Sequence, residues 1–236
     1  MKKLVFLISL LFLFSCNSTK SQSDLTLLNS YRLNILEPSG LTAKDNHLYI
    51  VSDYNGMIYK TTLSGKIVDK IQTPTTDNEG VCFNKDGNLV VVNETKRKLV
   101  EVDSKGEEKA KFKVKGKQKH KNSGLEGICF DASQNDYIVV NEKSPKHLLR
   151  LSSKGKIKEE ISLKFSEDLS GICFDENSSS LWIVSDESQL LMNVSLEGKL
   201  LKKYKISVFK AEGVTIVNNS IYIVSDAENK LYVFNK

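Results

Sequence analysis

Histidine and proline are scarce in this sequence, with three of each among 236 residues, and cysteine is little commoner at four. There is no Cys-x-x-Cys pair and no Cys/His spacing of the zinc-binding kind, so soft and borderline metals lack a donor set. Three of the cysteines, Cys82, Cys129 and Cys173, each follow a glycine by two residues inside an apolar stretch. An odd set of that kind is a poor disulfide framework, and cysteine in such a place is read as a small buried hydrophobe. No amphipathic run of helical period exceeds a few turns, while β-branched and aromatic residues are frequent, which points to an all-β chain. The net charge of +5 falls to +3 if Lys2 and Lys3 are removed with a leader, and the basic residues are scattered. That balance excludes nucleic acid as a partner.

What is present is a repeat. The phrases EPSGL (37–41), NEGVCF (78–83), LEGICF (125–130), LSGICF (169–174) and AEGVTI (211–216) place Gly40, Gly80, Gly127, Gly171 and Gly213 at separations of 40, 47, 44 and 42 residues. Self-similarity at that period marks radially repeated sheets. Each repeat reads as four strands. The second of each is continuously apolar (LYIV, LVVV, YIVV, LWIV, IYIV), as for a strand covered on both faces, and the fourth is rich in Lys and Glu, as for an outer edge. The last repeat supplies only three strands before the chain stops, and residues 24–35 have the length and alternation of the missing fourth. The expectation is a five-bladed β-propeller over residues 24–236, with four antiparallel strands per blade, closed by an N-terminal strand that completes the last blade.

The first residues read as an address. Lys2 and Lys3 precede an uncharged apolar run, 4–14, too short to span a bilayer and of the right length for a signal peptide. It ends Leu13-Phe14-Ser15-Cys16, which resembles the bacterial lipobox. That resemblance implies a lipoprotein signal peptide over 1–15, lipidation at Cys16 and a membrane anchor facing the periplasm, in a cell-envelope protein. Residues 16–23 are then the lipidated cysteine and a polar, flexible tether.

Taken together, the glycine phrases and the recurring V-[SN]-[DE] phrases (VSDY, VNET, VNEK, VSDE, VSDA) resemble the SdiA-regulated family of bacterial envelope proteins over residues 30–236. The resemblance implies a five-bladed propeller akin to NHL-repeat proteins and a calcium site.

Two polar columns emerge when the repeats are aligned. One precedes the glycine: Ser39, Glu79, Glu126, Ser170, Glu212. The other closes the second strand: Asp53, Glu94, Glu142, Asp186 and Asp226, each after a Ser or Asn. In an antiparallel blade the start of the first strand and the end of the second lie at one end of the sheet, so both columns should crowd one face near the axis. Carboxylates so placed repel one another and must protonate, pair or bind a cation, and a ring of Asp/Glu oxygens suits Ca2+. Asp, Asn and Ser at strand ends also cap turns locally, whereas glutamate does so poorly, which favours Glu79, Glu126, Glu212, Glu94 and Glu142 as ligands over the Asp column.

The function expected is a non-catalytic, monomeric, calcium-binding envelope propeller that takes a small ligand or an envelope protein on its funnel face. A calcium-dependent hydrolase or lactonase is the alternative, but the three histidines (His47, His120, His147) show no nucleophile and base pattern, and no catalytic residue is assigned. The lysine-rich run KVKGKQKHK (113–121) reads as a solvated loop and rim, with anionic lipid or envelope polymer as the competing partner.

Overall fold

The computed structural model describes residues 25–116 and 123–236. The leader 1–15, Cys16 with the tether 16–23, and residues 117–121 of the lysine-rich run, His120 among them, lie outside the described residues.

The described residues form twenty strands and no helix. The first, β1 (Leu27–Arg32), precedes four complete blades. Blade 1 is β2 (Pro38–Lys44), β3 (His47–Ser52), β4 (Met57–Thr62) and β5 (Ile67–Gln72); blade 2 is β6 (Asn78–Phe83), β7 (Leu89–Asn93), β8 (Lys98–Val102) and β9 (Glu108–Lys113). Blade 3 is β10 (Leu125–Asp131), β11 (Asp136–Asn141), β12 (His147–Ser152) and β13 (Ile157–Ser162); blade 4 is β14 (Ile172–Asp175), β15 (Ser180–Ser185), β16 (Leu190–Ser195) and β17 (Leu200–Lys205). The fifth blade, β18 (Ala211–Val217), β19 (Ser220–Ser225) and β20 (Lys230–Asn235), takes β1 as its outer strand, in the order β1-β20-β19-β18. All pairings are antiparallel, and the five-bladed propeller closed by its N-terminal strand is as the repeat count requires.

The core lies between blades, not within them. β7, β11 and β15 are buried along their whole length, because each blade face packs on a neighbour. Val90 and Val92 of blade 2, for example, pack with Ile128, Val139 and Leu149 of blade 3. Cys82, Cys129 and Cys173 are free and buried in three such seams, as small apolar side chains are.

The repeating glycines explain themselves at the hub. A Cβ on Gly40 would stand 2.7 Å from the Glu79 carbonyl oxygen and 2.8 Å from the Gly80 Cα. On Gly127 it would stand 2.6 Å from the Ile172 nitrogen, 2.7 Å from the Ser170 oxygen and 2.8 Å from the Gly171 Cα, and on Gly213 it would return to Leu41. The inner strands therefore touch backbone to backbone around a closed ring that only glycine permits. Gly127 also donates its N–H across the seam to the Ser170 oxygen, 2.8 Å. The waist so formed encloses about 10 Å³, room for one water at most, and separates the two mouths of the axial channel.

Candidate cation-binding funnel

One mouth of the channel is a cavity of about 330 Å³ lined by Glu37, Ser39, Asp53, Asp77, Glu79, Glu94, Glu126, Glu142, Lys143, Asp168, Ser170, Asp186, Glu187, Lys210, Glu212 and Asp226. All eight carboxylates singled out from the two columns are among them. Local backbone geometry places each column. In β2, β6, β10 and β18 the pairing register slips by one residue at or beside the pre-glycine position, for instance between Asn78 and Gly80. Such a bulge leaves one residue out of the ladder and re-aims its side chain, here Ser39, Glu79, Glu126 or Glu212, into the funnel.

The Ser or Asn before each second-column acid has a different task. Ser52 donates to the Leu36 carbonyl (2.6 Å), Asn93 to that of Thr76, Asn141 to that of Ser123 (3.5 Å) and Ser225 to that of Phe209. These groups latch the incoming connection to the end of the second strand and free the following acid to face the axis. The turn-tying chemistry expected of strand-end polar residues thus falls on this Ser/Asn column.

The structure adds a third column that sequence reading missed, three residues before each glycine: Glu37, Asp77, Gly124, Asp168 and Lys210. The constant offset was legible, but the residue types vary too much to catch the eye. Glu37, Asp77 and Lys210 have φ of 46°, 63° and 51°, a left-handed turn at the funnel lip. Asp168 is consumed locally, accepting hydrogen bonds from the Ser170 and Ser185 hydroxyls and the Asp186 and Glu187 amides. Asp77 accepts from the Thr95 amide (2.8 Å) and hydroxyl (2.6 Å) and still reaches the funnel.

Charge neutralisation around the ring is lopsided. The basic residues do not all keep to outer strands: Lys143 pairs with Glu142 (2.9 Å) and Glu187 (2.7 Å), and Lys210 lies 3.9 Å from both Asp186 and Glu212. Blades 3 to 5 thus carry built-in cations. Among the described residues blades 1 and 2 put no lysine or arginine into the funnel lining, and the carboxylates of Asp53, Glu79 and, on blade 3, Glu126 have no hydrogen bond or ion pair. The carboxylate oxygens of Asp53, Asp77 and Glu79, on blades 1 and 2, lie within 4.8 Å of one another, as do those of Glu94 on blade 2 with Glu126 and Glu142 on blade 3.

Proton affinities follow this geometry. Burial, then the charges of Asp53, Glu212 and Glu94, holds Glu79 well above the carboxylate range, and burial, then Glu79 and Glu212, does the same to Glu126. Burial and Asp77 carry Asp53 to about 6. Glu94 reaches about 7 through burial, although its Oε1 accepts the Gly124 amide at 2.8 Å. Glu212 also reaches about 7 through burial, against the pull of Lys210. Raised carboxylates contribute stability that is fully present below their unfolded values and is lost as pH climbs through the folded ones. In EDTA the melting temperature should therefore fall by several degrees between pH 5 and pH 8. A profile flat over that interval would show the funnel acids to be unstrained.

The donor set is hard. Oxygens spaced within 4.8 Å suit an ion whose metal–oxygen distances are about 2.3–2.6 Å, and no imidazole or thiol of the described residues takes part. His47 turns its Nδ1 to the Asp45 carbonyl at the opposite end of the blade, and His147 faces Glu160 (3.5 Å) beside Arg97.

A closed five-bladed ring with one acidic, glycine-floored funnel defines the class of protein. The chain matches the SdiA-regulated family over residues 28–235 and belongs to that family. Among solved structures it is similar to glutaminyl cyclase from Myxococcus xanthus, at 11% identity and a TM-score of 0.72, covering 89% of this chain and 95% of that one. It is also similar to virginiamycin B lyase from Staphylococcus aureus, at 12% identity and a TM-score of 0.59, covering 90% and 100%. A protein of unknown function from Bacteroides caccae shares the fold at 15% identity, with a TM-score of 0.58 and coverage of 79% and 69%. At these identities the likeness is one of fold.

Proposed function

We propose that this protein is a lipid-anchored envelope propeller that binds calcium in its funnel and there receives a small ligand or a protein partner, without catalysing a reaction. The reading is carried by one observation: among the described residues the carboxylate triad Asp53, Asp77 and Glu79 has no lysine beside it, and the neighbouring triad Glu94, Glu126 and Glu142 meets one only where Lys143 pairs with Glu142 (2.9 Å). Asp53, Asp77 and Glu79 would hold an ion at the seam of blades 1 and 2, or Glu94, Glu126 and Glu142 at that of blades 2 and 3. Glu212, Asp186 and Asp226 lie around Lys210 and would complete the field of the site. A bound calcium ion would supply the positive charge that lets the buried glutamates ionise together and would offer open coordination positions to a partner.

The rim supports a partner larger than an ion. Leu36, Tyr54 and Phe209 are exposed apolar side chains, each next in sequence to a funnel-lining residue, on adjacent blades 1 and 5. Their counterparts on blades 3 and 4 are polar or charged, so a partner could set an apolar edge on one side of the mouth only. The body acts as a monomer, anchored through Cys16 and facing the periplasm.

Calorimetric titration of the soluble domain with calcium tests the reading: saturable heat and a rise in melting temperature are expected, and neither at millimolar calcium would end it. A second reading, a calcium-dependent hydrolase or lactonase, draws on Glu94, whose proton affinity near neutrality suits a general base beside an ion held by Asp53, Asp77 and Glu79. The cyclase and the lyase do their chemistry on the same fold, which by itself transfers no activity. Lactone or ester hydrolysis abolished by Glu126→Gln would favour it.

A further inference from the structure

The chain joins the propeller at one defined place. Leu27 of β1 pairs with Phe234, Phe234 with Ile221, and Ile221 with Ile216. Ile216 lines the other mouth of the axial channel, a cavity of about 540 Å³ bordered by Phe83, Phe130 and Phe174. At its far end β1 reaches Arg32, level with Lys230, Ser225 and Ala211, beside the funnel residues Asp226 and Glu212. Residues before Leu27 therefore arrive at the face opposite the funnel. Thr26 fixes that arrival by donating to Asn235 Oδ1 (2.6 Å) and accepting from the Asn235 amide (3.0 Å), and Leu25 packs on the blade 4–5 seam. Beside it Leu27 and Leu28 are 50% and 49% exposed, an apolar edge at the point of attachment.

We propose that the face opposite the funnel is the membrane-facing surface of this protein. Leu27 and Leu28 sit at the headgroup boundary of the bilayer that holds the anchor, and the funnel opens away from it. This orientation rests on the lipid anchor at Cys16 proposed above. Eight residues, 17–24, separate Cys16 from Leu25, and by covalent geometry they reach about 28 Å at most. Strands of six residues make the body about 20 Å tall. Turned over, the propeller would use most of that reach in bringing the chain past its own side. It would also press twelve carboxylates of the funnel, with two lysines among the described lining residues, against anionic headgroups. Held as proposed, the funnel draws its ligand from the aqueous phase or an opposing structure, not from headgroups of its own membrane.

The full chain, processed and lipidated in a bacterial host, would be reconstituted into anionic phosphatidylglycerol vesicles containing lipids with quenching headgroups. A fluorophore would be placed on Ser104→Cys, in the turn between β8 and β9 on the face opposite the funnel, or on Tyr54→Cys at the funnel rim. Cys82, Cys129 and Cys173 are buried and their thiols pushed up by burial, so the introduced thiol takes the label. Quenching several-fold stronger at 104 than at 54, and weakened by Leu27→Ser/Leu28→Ser, is the expected result. Equal quenching, or stronger quenching at 54, overturns the orientation while leaving the anchor in place. Wild-type protein that fails to float with vesicles and shows no lipid mass on Cys16 overturns the anchor, and the orientation with it.

Discussion

Gly127→Ala is expected to destabilise the domain by about 3 kcal/mol, the upper part of the range for forcing a methyl into a packed core. For a domain of this size that lowers the melting temperature by roughly 6–12 °C. The new Cβ would meet the Ile172 nitrogen, the Ser170 oxygen and the Gly171 Cα at 2.6–2.8 Å, and all three are backbone. No side chain can rotate away, so the inner strands of blades 3 and 4 must part. Parting them strains the Gly127 to Ser170 hydrogen bond and opens a ring whose other contacts close on themselves. Val68→Ala, on an exposed position of β5, is the matched control and should stay within about 0.5 kcal/mol of wild type. Thermal or denaturant melts decide the matter, and a Gly127→Ala protein as stable as the control would show the hub to be looser than its geometry.

Glu126→Gln should act with opposite signs in the two states of the funnel. Without metal at pH 8 the substitution removes a carboxyl that must either keep its charge in a crowded set or take up a proton, and should stabilise, on the order of 1 kcal/mol. With calcium at a hundred times the dissociation constant, the wild-type protein gains about 2.7 kcal/mol from binding, and the variant should lose most of that gain. A glutamate that merely supported the fold would lower stability in both conditions. Sign inversion between EDTA and calcium is therefore a signature of a cation ligand and not of a packing residue. Binding should also tighten from pH 5 to pH 8, because the ion displaces protons from Asp53 and Glu94, held to about 6 and about 7. Calorimetry in buffers of different ionisation enthalpy would register those protons.

The two experiments probe features that a single short phrase encodes. In NEGVCF and LEGICF the glycine allows the hub to close, and the residue before it occupies the bulge that turns a carboxylate inward. One residue earlier or later, the same glutamate would sit within the ladder, on a blade face against its neighbour. The stability of the ring and the charge of the funnel are therefore coupled through adjacent positions. That coupling accounts for the strain in the metal-free state: burial keeps the acids close, and closing the hub brings them closer.

Much of this was readable before any coordinates. A period near 43 residues, apolar second strands, charged fourth strands and a missing last strand determine a five-bladed ring closed by its leading segment, because each follows from local chemistry repeated along the chain. The convergence of Glu79, Glu126 and Glu212 with Asp53, Glu94, Glu142, Asp186 and Asp226 on one mouth was legible for the same reason, since antiparallel pairing puts the two columns at one end. Only the tertiary structure decided how the acids divide. Lys210 and Lys143 neutralise one half of the funnel and Asp168 is tied off by four donors, whereas Asp53, Glu79 and Glu126 have no cation partner among the described residues. Lys143 with Glu142 and Lys210 with Glu212 are near neighbours in sequence, but Lys143 with Glu187, Lys210 with Asp186 and Asp168 with Ser185 join different blades or distant turns. Sequence periodicity reports which face a residue occupies, but distances of a few ångströms across a seam depend on how five blades tilt and close against one another.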